Sequence, residues 1–193
     1  MSATMRFVST VMVLLIMAAP AHRAAAQSSV RMTIGGGFGG TAPVGDRFDS
    51  NGPGWAAQTH LGVSSSSWPV GFQAELFLAS LARDRTTFEQ APAVRITAGT
   101  LTVQLPILAG SRGGGLIAAA GGGLYQFRNE SPGPLADVTR TNETGVVAGL
   151  AYRRVLTAFD VGIAARVHMI FTEDDQTRLL TGFVTIHVPI LGR

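Results

Sequence analysis

Along residues 159–171 every second residue is apolar: Phe159, Val161, Ile163, Ala165, Val167, Met169 and Phe171 share one face, with Asp160, Gly162, Ala164, Arg166, His168 and Ile170 opposite. A period of two belongs to a strand; wound as a helix, the segment would carry Asp160, Arg166 and His168 into its apolar arc. Residues 180–188 repeat the pattern, with Leu180, Gly182, Val184, Ile186 and Val188 against Thr181, Phe183, Thr185 and His187. The polar run 172–178 between them reads as a hairpin loop.

The same alternation, followed back toward the start, predicts strands over 144–153, 116–128, 72–80, 55–64 and 30–39. Residues 94–105 change phase: Val94 and Ile96 are apolar on one side, Leu101, Val103 and Leu105 on the other. A β-bulge near Ala98 and Gly99 would reconcile them, and the segment completes a set of eight. Its connections alternate in length, with 40–54, 81–93 and 129–143 long and 65–69, 106–115 and 154–157 mostly shorter. The fold class expected is all-β: an eight-stranded antiparallel up-and-down barrel crossing a membrane, with long loops at one end and short turns at the other.

Composition sharpens this. The chain is 46% hydrophobic and 14% charged, with 24 glycines, yet after its first residues it has no run of 18 apolar positions. Greasy strands without a membrane helix are what a closed transmembrane barrel requires, since every backbone group must be paired in lipid. Residues 1–26 hold Arg6, an apolar run over 7–19 and Ala24-Ala25-Ala26. They read as a secretory signal peptide cut after Ala26, which leaves 27–193 as one barrel domain. That domain carries 13 arginines against 12 acids, a balance that argues against nucleic acid as a partner. With no cysteine, an exported protein must rely on hydrogen bonding and packing rather than disulfides.

Three segments carry a likeness: Gly35-Gly36-Gly37-Phe38-Gly39-Gly40 followed by Pro43-Val44-Gly45-Asp46, then Pro69-Val70-Gly71-Phe72-Gln73-Ala74-Glu75, then Ala119-Ala120-Gly121-Gly122-Gly123-Leu124-Tyr125. With the eight alternating segments, they resemble the outer-membrane β-barrel domain family, the small OmpA-like barrels of Gram-negative bacteria. The resemblance implies an outer-membrane location, outer-membrane lipid and the barrel assembly machinery as partners, and a structural or porin-like role. One departure concerns the last residues. Such proteins usually end in an aromatic residue that the assembly machinery reads, whereas this sequence ends Val188-Pro189-Ile190-Leu191-Gly192-Arg193.

Eight strands enclose a lumen just filled by side chains, so charges placed there must pair. The inward phase predicts a charge network of Arg31, Glu75, Arg153, Asp160, Arg166 and His168, with Glu75 and Asp160 neutralising the three arginines. A plugged lumen is favoured over a narrow pore or a proton-sensitive switch worked by histidines. The outward phase supplies Trp55, Tyr125, Phe127, Phe159 and Phe171, with Trp68 in a turn, as interfacial girdles.

The run Gly35 to Gly40 matches G-x-G-x-x-G but lacks the helix of a dinucleotide site. Glu173-Asp174-Asp175 has no fixed metal-ligand spacing, and the sequons at Asn129 and Asn142 read as solvated loop. No cofactor or metal site is expected. No nucleophile motif is present, and His60, His168 and His187 all fall within strands, so no enzyme is expected. The expected function is therefore a surface-interaction barrel meeting an extracellular ligand through 40–54, 81–93 and 129–143. Two rivals are a soluble lipocalin-like carrier with the phases inverted and a loop-based membrane enzyme.

Overall fold

The computed structural model describes residues 30–45, 51–65, 67–83, 93–109, 114–130, 138–172 and 176–191. These form eight strands, β1 (Val30–Val44), β2 (Asn51–Ser65), β3 (Gly71–Arg83), β4 (Ala93–Ala109), β5 (Gly114–Glu130), β6 (Val138–Val155), β7 (Asp160–Phe171) and β8 (Gln176–Leu191). Each pairs antiparallel with its neighbours in sequence, and β8 closes on β1. Closure leaves no unpaired sheet edge, which is what allows a strand protein to sit in hydrocarbon.

The stagger can be read from one row of inward residues. From Asp160 the cross-strand partners run His187, Gly35, His60, Glu75, Thr100, Gly123 and Gly145, and return to β7 at Ile170, ten residues further along. With strands about 4.8 Å apart and about 3.3 Å of rise per residue, this stagger gives a tilt of about 40°. A cross-strand row therefore climbs about 3 Å per strand toward the loop end, in the order β8, β1, β2 and onward to β6.

Register breaks fall beside prolines. Pairing shifts between Gly52 and Trp55 around Pro53, between Pro106 and Leu108, and between Met32 and Thr33 where β8 carries Pro189. Proline has no N–H to give the ladder, so the irregularity settles where the donor is missing. No break occurs at Ala98 and Gly99, where the pairing of β4 with β3 and β5 is continuous. The expected bulge is thus corrected: Val94, Ile96 and Ala98 share the inward phase of Thr100 and Thr102, and the change from apolar to polar lies along the lumen itself.

The strands also run further than their alternation indicated. The connections at the loop end shrink to 45–50, 84–92, 131–137 and 173–175. Much of the expected loops 40–54, 81–93 and 129–143 is paired strand, including Asn142, whose side chain accepts from Gln126 Nε2 at 3.0 Å on the outer face. The expected signal peptide and the acids Glu173, Asp174 and Asp175 lie outside the described residues.

The outer face is apolar around the barrel's middle: Ile163 is 62% exposed, Val184 65% and Leu101 63%, while Asp160 is 1% and Arg166 8% exposed. This is the opposite of what a soluble carrier needs, and it removes the lipocalin-like reading. Trp55 stands at the loop-end edge of the belt with Phe38 stacked on it from the belt side, centroids 6.3 Å apart, and toward the turn end Trp68 meets Phe72 edge-on at 6.2 Å. Phe159 and Phe171 are also exposed. Tyr125 and Phe127 are not girdle residues: both point inward and are buried, because β5 keeps one phase from the small residues Ala119, Gly121 and Gly123 up to its loop end.

Candidate functional site

The lumen has two halves of different chemistry. Toward the loop end Phe77, Leu81, Val94, Ile96, Tyr125, Phe127, Ile170, Leu179 and Phe183 pack into an apolar plug. Aromatic contacts order it: Phe77 meets Phe183 edge-on at 6.3 Å and stacks on His168 at 4.7 Å. Phe77, Ile96, Ile170 and Leu179 are each no more than 1% exposed, so this half is closed.

His168 belongs to the plug rather than to the charges. Tyr125 Oη lies 3.0 Å from its Nδ1, its Nε2 is 3.2 Å from Thr181 Oγ1, and Thr181 Oγ1 donates to the Arg166 carbonyl at 3.4 Å. Since the Thr181 proton goes to that carbonyl, His168 Nε2–H donates to Thr181 and Nδ1 accepts from Tyr125. A directed relay of this kind satisfies polar atoms in an apolar setting.

Toward the turn end the lining is polar. Arg166 Nη1 pairs with Glu75 Oε2, which also accepts from Gln73 Nε2 at 3.1 Å, and Gln104 Nε2 donates to Gln73 Oε1. The Arg166 guanidinium lies 5.8 Å from the Phe183 ring centroid, where the two halves meet. Arg31 Nη2 binds Asp160 Oδ2 at 2.9 Å near the open mouth. The geometry is thus two separate ion pairs. Arg153 joins neither: Arg31 takes the Asp160 carboxylate, and Arg153 Nε is buried without a hydrogen bond. Arg153 lines a cavity of about 20 Å³ with Gln58, Gln73, Gln104, Arg166 and His187, room for one or two waters.

His60 and His187 form a second histidine site that the expected charge set omitted. Their rings sit 4.5 Å apart, His60 Nε2 is 2.7 Å from His187 Nδ1, and His187 Nε2 is 3.1 Å from Thr185 Oγ1. The contact depends on Gly35, directly opposite both in the row: a Cβ there would overlap His60 Nε2 and the Ile186 carbonyl. Gly35→Val is expected to destabilise the barrel by about 1–3 kcal/mol through overpacking. Urea unfolding in detergent micelles, followed by tryptophan fluorescence, measures this, and an unchanged midpoint would show that the pair yields freely.

The glycine run 35–40 lies wholly inside β1, so its spacing serves strand packing. Among the described residues no three His, Cys, Asp or Glu side chains converge on a metal-sized site. The plug residues could have been found in the sequence, since Val94 and Ile96 are in phase with Thr100 and Thr102 of β4, and Tyr125 and Phe127 with the small residues Ala119, Gly121 and Gly123 of β5. The alternation rule alone assigned apolar side chains to lipid and hid them.

Comparison with solved structures gives the same architecture. A major outer membrane protein from Thermus thermophilus superposes with a TM-score of 0.64 at 11% identity, over 84% of this chain and 100% of that one. Ail, the attachment invasion locus protein of Yersinia pestis, solved with the heparin analogue sucrose octasulfate, gives 0.55 at 8% identity over 86% and 100%. Neisserial surface protein A gives 0.52 at 12% identity over 83% and 97%. No protein-family model and no curated protein matches the sequence. The class is therefore set by fold: a closed eight-stranded barrel of the outer-membrane type.

Proposed function

We propose that this protein is an outer-membrane barrel of structural and surface-interaction role, closed to solutes, whose loop-end rim meets an external partner. One observation carries the reading: an apolar belt surrounds a lumen whose loop-end half is packed solid with Phe77, Ile96, Ile170 and Leu179. The belt requires lipid, since exposed in water it would aggregate. The plug leaves transport without a path, so the loop end is where interaction occurs. The two ion pairs then serve to fill the lumen. Outer-membrane lipid surrounds the belt, the barrel assembly machinery inserts it, and the parts of 40–54, 81–93 and 129–143 that lie between strands, 45–50, 84–92 and 131–137, supply the contact surface.

One structural neighbour is a surface protein by name, and another, named for attachment and invasion, was solved with a sulfated ligand, which is in keeping with such a role. A non-enzymatic protein is the better reading because His60, His168 and His187 are all buried in the lumen, out of reach of a substrate at the rim.

The test is fractionation combined with conductance. The protein is expected in detergent-extracted outer membrane, heat-modifiable on gels, and silent in planar bilayers. Recovery from the soluble periplasm would overturn the membrane reading. Discrete conductance steps would overturn the closed lumen. Excision of 84–92 and 131–137 is expected to abolish cell-surface binding while heat-modifiability survives.

A further inference from the structure

The polar half of the lumen holds more positive than negative charge. Arg31, Arg153 and Arg166 face two carboxylates there, and each carboxylate is already taken, Glu75 by Arg166 and Asp160 by Arg31. Arg153 makes no ion pair or hydrogen bond among the described residues, and its Nε is buried. Asp160 is the acid whose charge reaches it. Every acid of the chain other than Glu75 and Asp160 falls within 46–49, 84–89, 130–143 or 173–175, at the strands' loop ends. Of these Glu143 lies on the same strand as Arg153, ten residues up β6, about 33 Å along it. Residues 1–29, 66, 110–113 and 192–193, which adjoin the turn ends outside the described residues, hold no acidic side chain. The hydrogen bond between His60 and His187 requires one ring nitrogen to accept, so at most one of the two is charged, and such a charge would only enlarge the excess.

The excess faces a cavity with no carboxylate on its wall. Arg153, Arg166 and His187 line the space of about 20 Å³ with Gln58, Gln73 and Gln104, and neither Glu75 nor Asp160 does. Gln58 is a second, independent sign of a ligand. It is 6% exposed, and neither its Nε2 nor its Oε1 finds a hydrogen bond within the protein. Gln73 and Gln104, by contrast, are tied to each other and to Glu75. A buried amide and a buried guanidinium nitrogen without partners are both costly, and they share one cavity. The register explains the space between them. The cross-strand row runs from Arg153 through Gly162, Thr185 and Gly37 to Gln58, so two of the three intervening positions have no side chain. A Cβ at Gly37 would come within 3.1 Å of Gln58 Nε2, and one at Gly162 within 3.0 Å of Thr185 Oγ1.

We propose that this cavity binds one small monovalent anion of chloride's size, held by the Arg153 guanidinium and the Gln58 amide. Guanidinium and amide N–H groups are the donors such an ion takes, and one negative charge balances the arginine that no carboxylate meets. Water fits the space but leaves that charge uncompensated. With room for one or two waters, the cavity admits a monatomic anion and excludes a phosphate or a sugar acid. The site lies inside the closed lumen, so the assignment adds a structural ligand to the barrel and does not depend on what the loop-end rim meets.

The full chain is unfolded by urea in zwitterionic micelles, in equal concentrations of sodium chloride or of sodium gluconate, whose monovalent anion is too large for the cavity. Chloride is expected to lower the unfolding equilibrium constant about tenfold relative to gluconate, and to do so saturably, as a ligand of the folded barrel alone must. R153Q should remove the difference and Q58L should cut it severalfold, whereas R154Q, at the neighbouring outward arginine, should keep it. Bromide should replace chloride, and crystals grown in sodium bromide should show an anomalous peak beside Arg153 and Gln58. Equal stability in the two salts would overturn the proposal and leave the cavity to water. A chloride effect that R153Q retains would also overturn it, as a general action of salt on surface charge, and so would a bromide peak confined to the outer surface. Heat-modifiable migration is recorded for every variant, so failure of the barrel itself is seen separately.

Discussion

Replacing Glu75 with leucine is expected to cost about 3–5 kcal/mol of stability, because Arg166 would keep a buried charge without its partner. Arg166 and Glu75 are 8% and 4% exposed, and Gln73 loses its acceptor in the same stroke. The double variant Glu75→Leu/Arg166→Met removes both charges and should recover most of the loss, since buried pairs are often replaced by apolar groups at little net cost. Urea titration of the two variants in micelles separates them. A single variant as stable as the parent would mean that water reaching the neighbouring cavity already screens the pair.

The second large effect concerns the opposite face. Val184 is 65% exposed and lies in the outward row that descends from Thr97 through Leu78, Ala57 and Phe38. Four strands of descent place it about 12 Å below the Trp55 level, near the middle of an apolar band about 25 Å tall. Val184→Arg is therefore expected to cost about 2–4 kcal/mol in bilayers, whereas arginine at Val44, near the rim, should cost about 1 kcal/mol or less. Refolding equilibria in vesicles measure both. Equal effects at the two sites would contradict the depth assigned to the belt.

The eight strands were legible because period two survives wherever one face meets lipid. Residues 159–171 and 180–188 kept their phase in the structure residue for residue, from Asp160 buried to Val188 exposed. The strand ends were less legible for a physical reason: beyond the membrane a ladder needs no apolar face. Thr139 to Asn142 have the composition of a loop and the hydrogen bonding of a strand. Alternation does not place Tyr125, Phe127 or the phase change at Ala98 and Gly99 correctly, because the lumen is not uniformly polar. Here it divides along the axis, and a strand crossing that divide shows apolar residues in both phases with no irregularity. Arg31, Glu75, Asp160 and Arg166 could be placed inside by phase. Which acid meets which arginine depends on reach around the stagger, which alternation does not encode.

The central claim is the direction in which each phase faces. The absence of native cysteine makes single-cysteine labelling along β7 and β8 a clean measurement in lipid vesicles. Fluorophores at Ile163, Val167, Val184 and Ile186 are predicted to be quenched by brominated acyl chains, and those at Ala164, Thr181 and Thr185 to escape quenching. Quenching at the second set with protection of the first would contradict the account.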